Sequence, residues 1–111
     1  MKRGDIVTVA AAGDYGKPRP AVVVQSDRLL NVDSIIVCPF TTFDRQTPLF
    51  RLSVDPTPST GLRETSQVMV EKIRSVAKGR CGPVIGRLDE AALLALDERL
   101  AVILGLADDG P

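Results

Sequence analysis

Short runs of alternating apolar and polar positions fill most of the chain up to Val76, and a helical repeat appears only near the carboxyl end. Alternation with a period of two residues is typical of strands that bury one face. The runs predict five strands: Asp5 to Ala11, Ala21 to Val24, Ser34 to Phe40, Leu49 to Val54 and Thr65 to Val76. Glycine, proline and polar residues separate the runs, as expected of turns.

The carboxyl-terminal run has the spacing of an amphipathic helix. Asp89 is a suitable N-cap, and Leu88 with Leu93 fits a hydrophobic staple around it. Gly105 is a suitable C-terminal stop. Apolar residues recur at helical spacing between the cap and the stop, namely Leu93, Leu96, Leu100 and Ile103. We therefore predict one helix, whose apolar stripe covers an end of the β-structure or, in part, a second subunit.

The order of these elements predicts the fold class. Five short strands followed by one helix indicate a mainly β protein, a small β-barrel with a C-terminal α-helix. No helical pattern lies between the strands, which argues against a parallel sheet with crossover helices. A length of 111 residues fits a single domain over residues 1–111 with one core.

The charge balance narrows the classes of function. Fourteen basic and fourteen acidic residues give zero net charge, which argues against a protein that coats nucleic acid by bulk electrostatics. A local basic site remains compatible with this balance. The chain has no histidine, so general acid or base catalysis must use carboxylates, hydroxyls, lysine, arginine or Tyr15.

The cysteines and the hydropathy pattern indicate the redox state and the cellular location to expect. Cys38 and Cys81 form neither a disulfide framework nor a metal-binding pattern, so both are interpreted as reduced thiols, with Cys38 in the core. We predict no metal and no cofactor. No stretch approaches the ~20 apolar residues that a membrane span needs, and we expect a soluble, cytoplasmic protein without a membrane partner.

One stretch joins restricted backbone to basic side chains, Gly16-Lys17-Pro18-Arg19-Pro20, followed by Ala21-Val22-Val23-Val24-Gln25. Lys17 and Arg19 each precede a proline, which pushes both residues into extended conformations. The stretch therefore presents Arg19 in a defined direction, at the mouth of a strand that begins at Ala21. A solvated arginine in a stiff turn is the alternative, and spacing alone does not separate the two.

Further polar candidates lie at the ends of strands and in loops. Thr41 and Thr42 follow the third apolar run, beside a polar loop that carries Arg45. Tyr15 lies in a loop with glycines at both ends, where it would stack on a nucleobase or fold back onto the barrel. The fifth predicted strand contains charged residues that mark either a site or a solvated face, namely Glu71, Lys72 and Arg74.

Several segments, in order along nearly the whole chain, carry a resemblance to a known family. They are Lys2-Arg3-Gly4-Asp5-Ile6-Val7, the Gly16 to Asp27 stretch, a strand ending in Thr41, Thr60-Gly61-Leu62, Val70-Glu71-Lys72-Ile73-Arg74-Ser75-Val76 and Ile85-Gly86-Arg87-Leu88. In this combination the chain resembles the MazF/PemK family of toxin–antitoxin ribonucleases. The resemblance implies an SH3-like barrel, a homodimer and metal-independent cleavage of single-stranded RNA. It also implies a cognate antitoxin, MazE-like, with an acidic C-terminal segment.

The resemblance also implies roles for individual residues. Arg19 matches the family's arginine at the scissile phosphate, and Thr41 matches its threonine or serine hydroxyl. Glu71 falls where relatives place an acidic residue near the RNA groove, as either a general base or a reader of a nucleobase. The expected substrate-binding residues are Tyr15, Lys17, Pro18, Thr42, Arg45, Lys72 and Arg74. Many relatives carry a histidine in the loop from Gly13 to Lys17, whereas this chain has Asp14 and Tyr15 there.

RNA chemistry is consistent with this set of residues. The substrate supplies its own nucleophile, the 2′-hydroxyl, and the enzyme must position it, remove a proton and neutralise charge on the phosphorane. The expected products are a 2′,3′-cyclic phosphate and a 5′-hydroxyl. Two other functions would share the fold, a CcdB-like gyrase poison and a non-catalytic SH3-like binding module, because a fold does not by itself fix a function.

Overall fold

The structure is a computed structural model, and it describes residues 1–10, 17–29 and 31–108. Its strands are β1 Asp5–Val9, β2 Arg19–Val23, β3 Ser34–Thr41, β4 Arg51–Val54, β5 Ser66–Met69, β6 Arg74–Ala77 and β7 Cys81–Arg87. Two 3-10 turns, Val70–Lys72 and Lys78–Arg80, flank β6, and one helix, α1 Glu90–Ile103, follows β7. The predicted mainly β class with a C-terminal helix is confirmed. Within the described ranges, no helix is long and apolar enough to cross a membrane.

The strands form one antiparallel sheet in the order β4-β5-β3-β2-β1-β7, with β6 beside β3. Strand β3 organises it, because its first half, 34–37, pairs with β6 while its end, 40–41, pairs with β5. The end of β3 therefore lies where two parts of the sheet meet.

Side chains on the two sides of this sheet form two separate cores. Ile6, Val22 and Cys38 belong to a cluster that includes Leu96 and Leu100 of α1. We call this the helix side of the sheet. The alternate positions on the same strands form the second core on the far side, namely Val7, Val9, Ala21, Val23, Ile35 and Val37.

The helix matches its prediction in both its ends and its stripe. The Asp89 side chain caps the first turn, accepting a hydrogen bond from the Ala92 N–H at 2.8 Å. Gly105, with φ of 73°, follows the last turn. Leu96 and Leu100 are buried in the core of the helix side.

The fifth predicted strand, Thr65 to Val76, is wrong as one continuous element. The 3-10 turn at Val70–Lys72 breaks it into β5 and β6, which pair with different halves of β3. The break lets one segment pair with both halves of β3. Strand β2 also differs from its prediction, because it begins at Arg19 and ends at Val23.

Strand β7 was missed by the sequence prediction. Two glycines and Pro83 interrupt its apolar pattern, and β7 lies at the edge of the sheet, where proline is tolerated. The glycines allow close approach of the backbone: a Cβ at Gly86 would lie 2.2 Å from the Thr60 carbonyl oxygen, and one at Gly82 would lie 2.2 Å from Thr8 Oγ1. The residues that hide this strand from a pattern search are therefore the ones that let it pack.

Candidate functional site

The sheet register brings Arg19 and Thr41 together. Strands β2 and β3 pair through Ala21 with Pro39 and Val23 with Val37. Continued by two residues past its last paired residues, this register points Arg19 toward Thr41. By alternation from Val23 and Val37, both side chains lie on the far side of the sheet, away from α1.

The Arg19 side chain is exposed, but its backbone is constrained. Its partner across the β1–β2 ladder is Val9, and Pro18 and Pro20 restrict the chain on both sides. Lys17 and Pro18 are exposed immediately before it. Tyr15, and the rest of its loop up to Gly16, lie outside the described residues.

A cleft of about 330 Å³ lies beside Val9, at the end of β1 that pairs with Arg19. Val9, the partner of Arg19, lines it together with Arg74 and Arg80. The fold therefore gathers arginines from β2, β6 and the turn before β7 around one end of β1. Arg80 was missed by sequence reasoning, because a single arginine in a glycine-containing turn resembles an ordinary surface residue and no sequence signal distinguishes it.

Thr41 lies at the last position of β3, as predicted. Its Oγ1 accepts a hydrogen bond from the Phe43 N–H at 3.1 Å. A hydroxyl that accepts one bond still has its own hydrogen to donate. The backbone thus fixes the oxygen, and the hydrogen is left for a ligand on the far side of the sheet.

Gln67 holds the loop that follows Thr41, which we call the 42–47 loop. It is directly opposite Thr41 on β5, and only 8% of it is exposed. Its Nε2 donates to Asp44 Oδ1 at 2.9 Å and to the Arg45 carbonyl at 3.0 Å, while its Oε1 accepts from the Arg45 N–H at 3.1 Å. Sequence reasoning missed Gln67, because its burial depends on a loop that no pattern places over it.

The 42–47 loop carries two of the predicted binding residues. Thr42 and Arg45 are both exposed. The Arg45 guanidinium carbon lies 5.9 Å from the centre of the Phe43 ring, a cation–π distance.

Glu71 is engaged by a buried arginine. Arg51 Nε donates to both carboxylate oxygens at 2.9 and 3.0 Å, and Arg51 Nη2 donates to Oε2 at 2.6 Å. The Arg51 side chain is 4% exposed and that of Glu71 is 27% exposed. Partial burial alone would raise the pKa of Glu71, but the hydrogen bonds and charge of Arg51 outweigh it and hold that pKa below its usual range.

The pair links three elements. Arg51 lies opposite Met69 in the β4–β5 ladder, and Glu71 lies in the turn after β5. The Arg51 carbonyl also accepts a hydrogen bond from Arg99 of α1 at 2.9 Å. Arg51 therefore connects the turn that carries Glu71 to both β4 and the helix.

The remaining predicted residues of this region do not share one strand. Lys72 lies in the 3-10 turn and Arg74 begins β6, and both are exposed. The expectation of a common strand is wrong, because the turn resets the period-two alternation between them.

The Cys38 thiol takes no part in this arrangement. Cys38 is in the core, as predicted, and its burial is the main reason that the pKa of its thiol rises to about 12. A thiol with such a pKa is not a nucleophile near neutral pH.

Comparison with known proteins places the chain in a family. A family model described as PemK-like, MazF-like toxin of type II toxin-antitoxin system matches residues 2–104. A probable endoribonuclease MazF of Mycolicibacterium smegmatis is 44% identical over 108 residues, covering 96% of this chain and 99% of that protein. Endoribonuclease MazF9 of Mycobacterium tuberculosis is 35% identical over 116 residues, covering 96% and 98%.

A solved structure shares the fold. A mycobacterial endoribonuclease, solved in complex with its cognate antitoxin, superposes with a TM-score of 0.80 at 24% identity, covering 100% of this chain and 99% of that chain. The resemblance predicted from the sequence motifs is confirmed. The chain belongs to the PemK-like, MazF-like toxins of type II toxin–antitoxin systems.

Proposed function

We propose that this toxin is an endoribonuclease that cleaves single-stranded RNA at short sequences, without a divalent metal, by attack of the substrate's own 2′-hydroxyl. The observation that supports the proposal is the antiparallel register of β2 and β3, which directs Arg19 toward Thr41 at the ends of the two strands, with a cleft lined by Arg74 and Arg80 beside Val9, the partner of Arg19. The names of the two relatives described above support the same activity.

Arg19 is proposed to stabilise the charge on the phosphorane and to protonate the leaving 5′ oxygen, while solvent water takes the proton of the attacking 2′-hydroxyl. A guanidinium binds two phosphate oxygens at once, which a lysine ammonium does not. The Thr41 hydroxyl donates a hydrogen bond to a non-bridging oxygen. The hydrogen bond from the Phe43 N–H keeps Thr41 Oγ1 in place before substrate arrives.

Glu71 fits a reader of a nucleobase better than a general base. A carboxylate whose pKa lies below its usual range accepts a proton weakly near neutral pH. The same carboxylate has four lone-pair sites, so it can accept hydrogen bonds from a base while Arg51 holds it. We therefore propose that Arg51 orients Glu71 and that Glu71 contributes to sequence preference.

The chemistry gives a direct prediction on the substrate. Cleavage should proceed in excess EDTA, and an RNA with a single 2′-deoxy sugar at the cut should resist cleavage, because the attacking oxygen is missing. Mass spectrometry of the products should show a 2′,3′-cyclic phosphate and a 5′-hydroxyl. Activity lost in EDTA and restored by magnesium would contradict the proposal, and RNA left intact would favour a gyrase poison or a binding module.

We further propose that the toxin is a homodimer. The end of α1 leaves apolar side chains exposed, Leu104 at 54% and Leu106 at 77%, which is more apolar surface than one small domain needs to leave in water. Analytical ultracentrifugation should give twice the chain mass at micromolar concentration. A monomer throughout that range would rule out the dimer.

The proposed partner is a cognate, MazE-like antitoxin whose acidic C-terminal segment occupies the RNA groove. The similar mycobacterial endoribonuclease was solved with its own antitoxin. In a chain of zero net charge, the predicted binding residues include exposed cations, namely Lys17, Arg19, Arg45, Lys72 and Arg74. A flexible acidic segment folds onto such a surface and covers a large area.

Competition tests this groove occlusion. The antitoxin should displace labelled RNA and stop cleavage in proportion to the toxin it binds. An antitoxin that binds tightly and leaves cleavage unchanged would show that it docks elsewhere. Since the substrate is RNA, we also infer action in the cytoplasm, which cell fractionation of the expressed toxin would check.

A further inference from the structure

The 42–47 loop exposes an aromatic ring that the proposed chemistry does not use. The chain has three phenylalanines, and their environments differ: Phe40 is 4% exposed in the core, whereas Phe43 is 66% exposed. Leaving a phenylalanine ring in water gives up the burial that normally stabilises it. Among the described residues, the guanidinium of Arg45 lies over one face of the ring.

The ring is presented by a fixed backbone. The Phe43 N–H is held by Thr41 Oγ1 at 3.1 Å, and Gln67 binds both the N–H and the carbonyl of Arg45 as well as the Asp44 carboxylate. The segment that bears Phe43 is therefore tied on both sides of the ring. A binding group on fixed backbone loses less entropy when a ligand arrives.

The position of the ring relates it to the proposed scissile phosphate. Phe43 is two residues after Thr41, so their Cα atoms are at most about 7.6 Å apart. A phosphate between Arg19 and Thr41 would bring the neighbouring nucleotide to the 42–47 loop. An exposed aromatic face beside a cation is the usual platform for a nucleobase of single-stranded RNA.

We propose that Phe43 and Arg45 form a stacking subsite for a nucleobase next to the scissile phosphate. This rests on the proposed function and extends it. The base stacks on one face of the Phe43 ring, and the Arg45 guanidinium lies over the opposite face. The positive charge of Arg45 also attracts the phosphates of the RNA backbone. Gln67 is a positioning residue, because it acts on the subsite through the loop backbone.

A tryptophan at this position reports on stacking directly, because the chain has no tryptophan of its own. The experiment uses Phe43→Trp and a short RNA that contains the mapped cleavage site with a 2′-deoxy sugar at the cut. Binding is followed separately by anisotropy of a dye on the RNA. We expect quenching of tryptophan fluorescence that saturates together with the anisotropy, and loss of that quenching when the base flanking the cut is made abasic.

The matched control is Leu94→Trp, an exposed position on α1, on the other side of the sheet from Arg19 and Thr41. Its fluorescence should not change on RNA binding. RNA that binds by anisotropy without quenching Phe43→Trp would overturn the subsite. Quenching that appears with antitoxin but not with RNA would overturn it as well, because it would assign the ring to the protein partner.

Affinity provides a second measurement. Loss of one base stack corresponds to about 5- to 150-fold weaker binding, so Phe43→Ala should weaken RNA binding by that amount while Phe43→Tyr should not. Phe43→Ala should lose nothing further on the abasic RNA. Additive losses would overturn the subsite while leaving the nuclease proposal intact, whereas no cleavage by the unsubstituted protein would overturn both.

Discussion

Arg19→Ala is expected to lower single-turnover RNA cleavage by about 10²- to 10³-fold, the usual cost of one preorganised donor to a developing oxyanion. The folded protein should keep its stability, because Arg19 is exposed at the first position of β2 and a surface substitution changes the free energy of unfolding by less than about 0.5 kcal/mol. Arg19→Lys should also fail, since lysine keeps the charge and loses the planar pair of donors.

The control is Arg28→Ala, which removes an exposed arginine from the turn at the other end of β2. It changes the net charge equally and should cleave at the wild-type rate. Circular dichroism melts beside the kinetics separate loss of chemistry from loss of fold. If Arg19→Ala melts like wild type and cuts like Arg28→Ala, then Arg19 is only a solvated residue in a stiff turn.

Thr41 has its own matched variant within the same experiment. Thr41→Ala removes both the proposed hydrogen-bond donor and the acceptor for the Phe43 N–H. Thr41→Ser keeps both. A large loss of rate in the alanine variant alone would assign the effect to the hydroxyl, while equal losses in both would point to packing of the threonine methyl group.

Those parts of the molecule that depend on local sequence could be predicted. Asp89, the leucine repeat and Gly105 determine α1 from within fifteen or so residues, since capping and helical spacing are local properties. The prolines around Arg19 likewise restrict the backbone at the position where the structure begins β2. The approach of Arg19 to Thr41 could be anticipated only through the family resemblance, since it depends on strand pairing.

Other parts of the structure depend on contacts between segments that are distant in the sequence, so no local sequence pattern predicts them. Gln67 is buried because the 42–47 loop folds over it, and the same residue in an alternating strand equally suits a wet face. The break at Val70 follows from β3 having different partners at its two ends. Glu71 was identified as a candidate without its partner, because Arg51 lies twenty residues earlier on a strand whose pairing the sequence does not specify.

The Arg51–Glu71 pair is expected to have the largest effect on stability. Glu71→Ala would leave the guanidinium of Arg51, 4% exposed, without its partner, and because the Glu71 side chain is itself 27% exposed we expect a cost of about 1 to 3 kcal/mol, the usual penalty for unsatisfied buried donors. Glu71→Gln keeps an acceptor oxygen and should cost less. The double variant Arg51→Met/Glu71→Leu should be more stable than Glu71→Ala, because it leaves no unpaired charge. Urea denaturation measures all three, and additive losses in the double variant would contradict a pair that acts as a unit.

The same pair should make stability depend on pH in a defined direction. Because the pKa of Glu71 is lower in the folded protein than in the unfolded chain, its contribution is complete above the unfolded value and is lost as pH falls through the folded value. Glu71→Gln should remove that part of the acid dependence. The role of Glu71 in function is tested by measuring RNA binding and cleavage of Glu71→Gln under conditions where this variant stays folded. Altered sequence preference or weaker RNA binding would identify a reader held in place by Arg51, whereas a large loss of turnover with unchanged binding would make Glu71 the general base despite its lowered pKa.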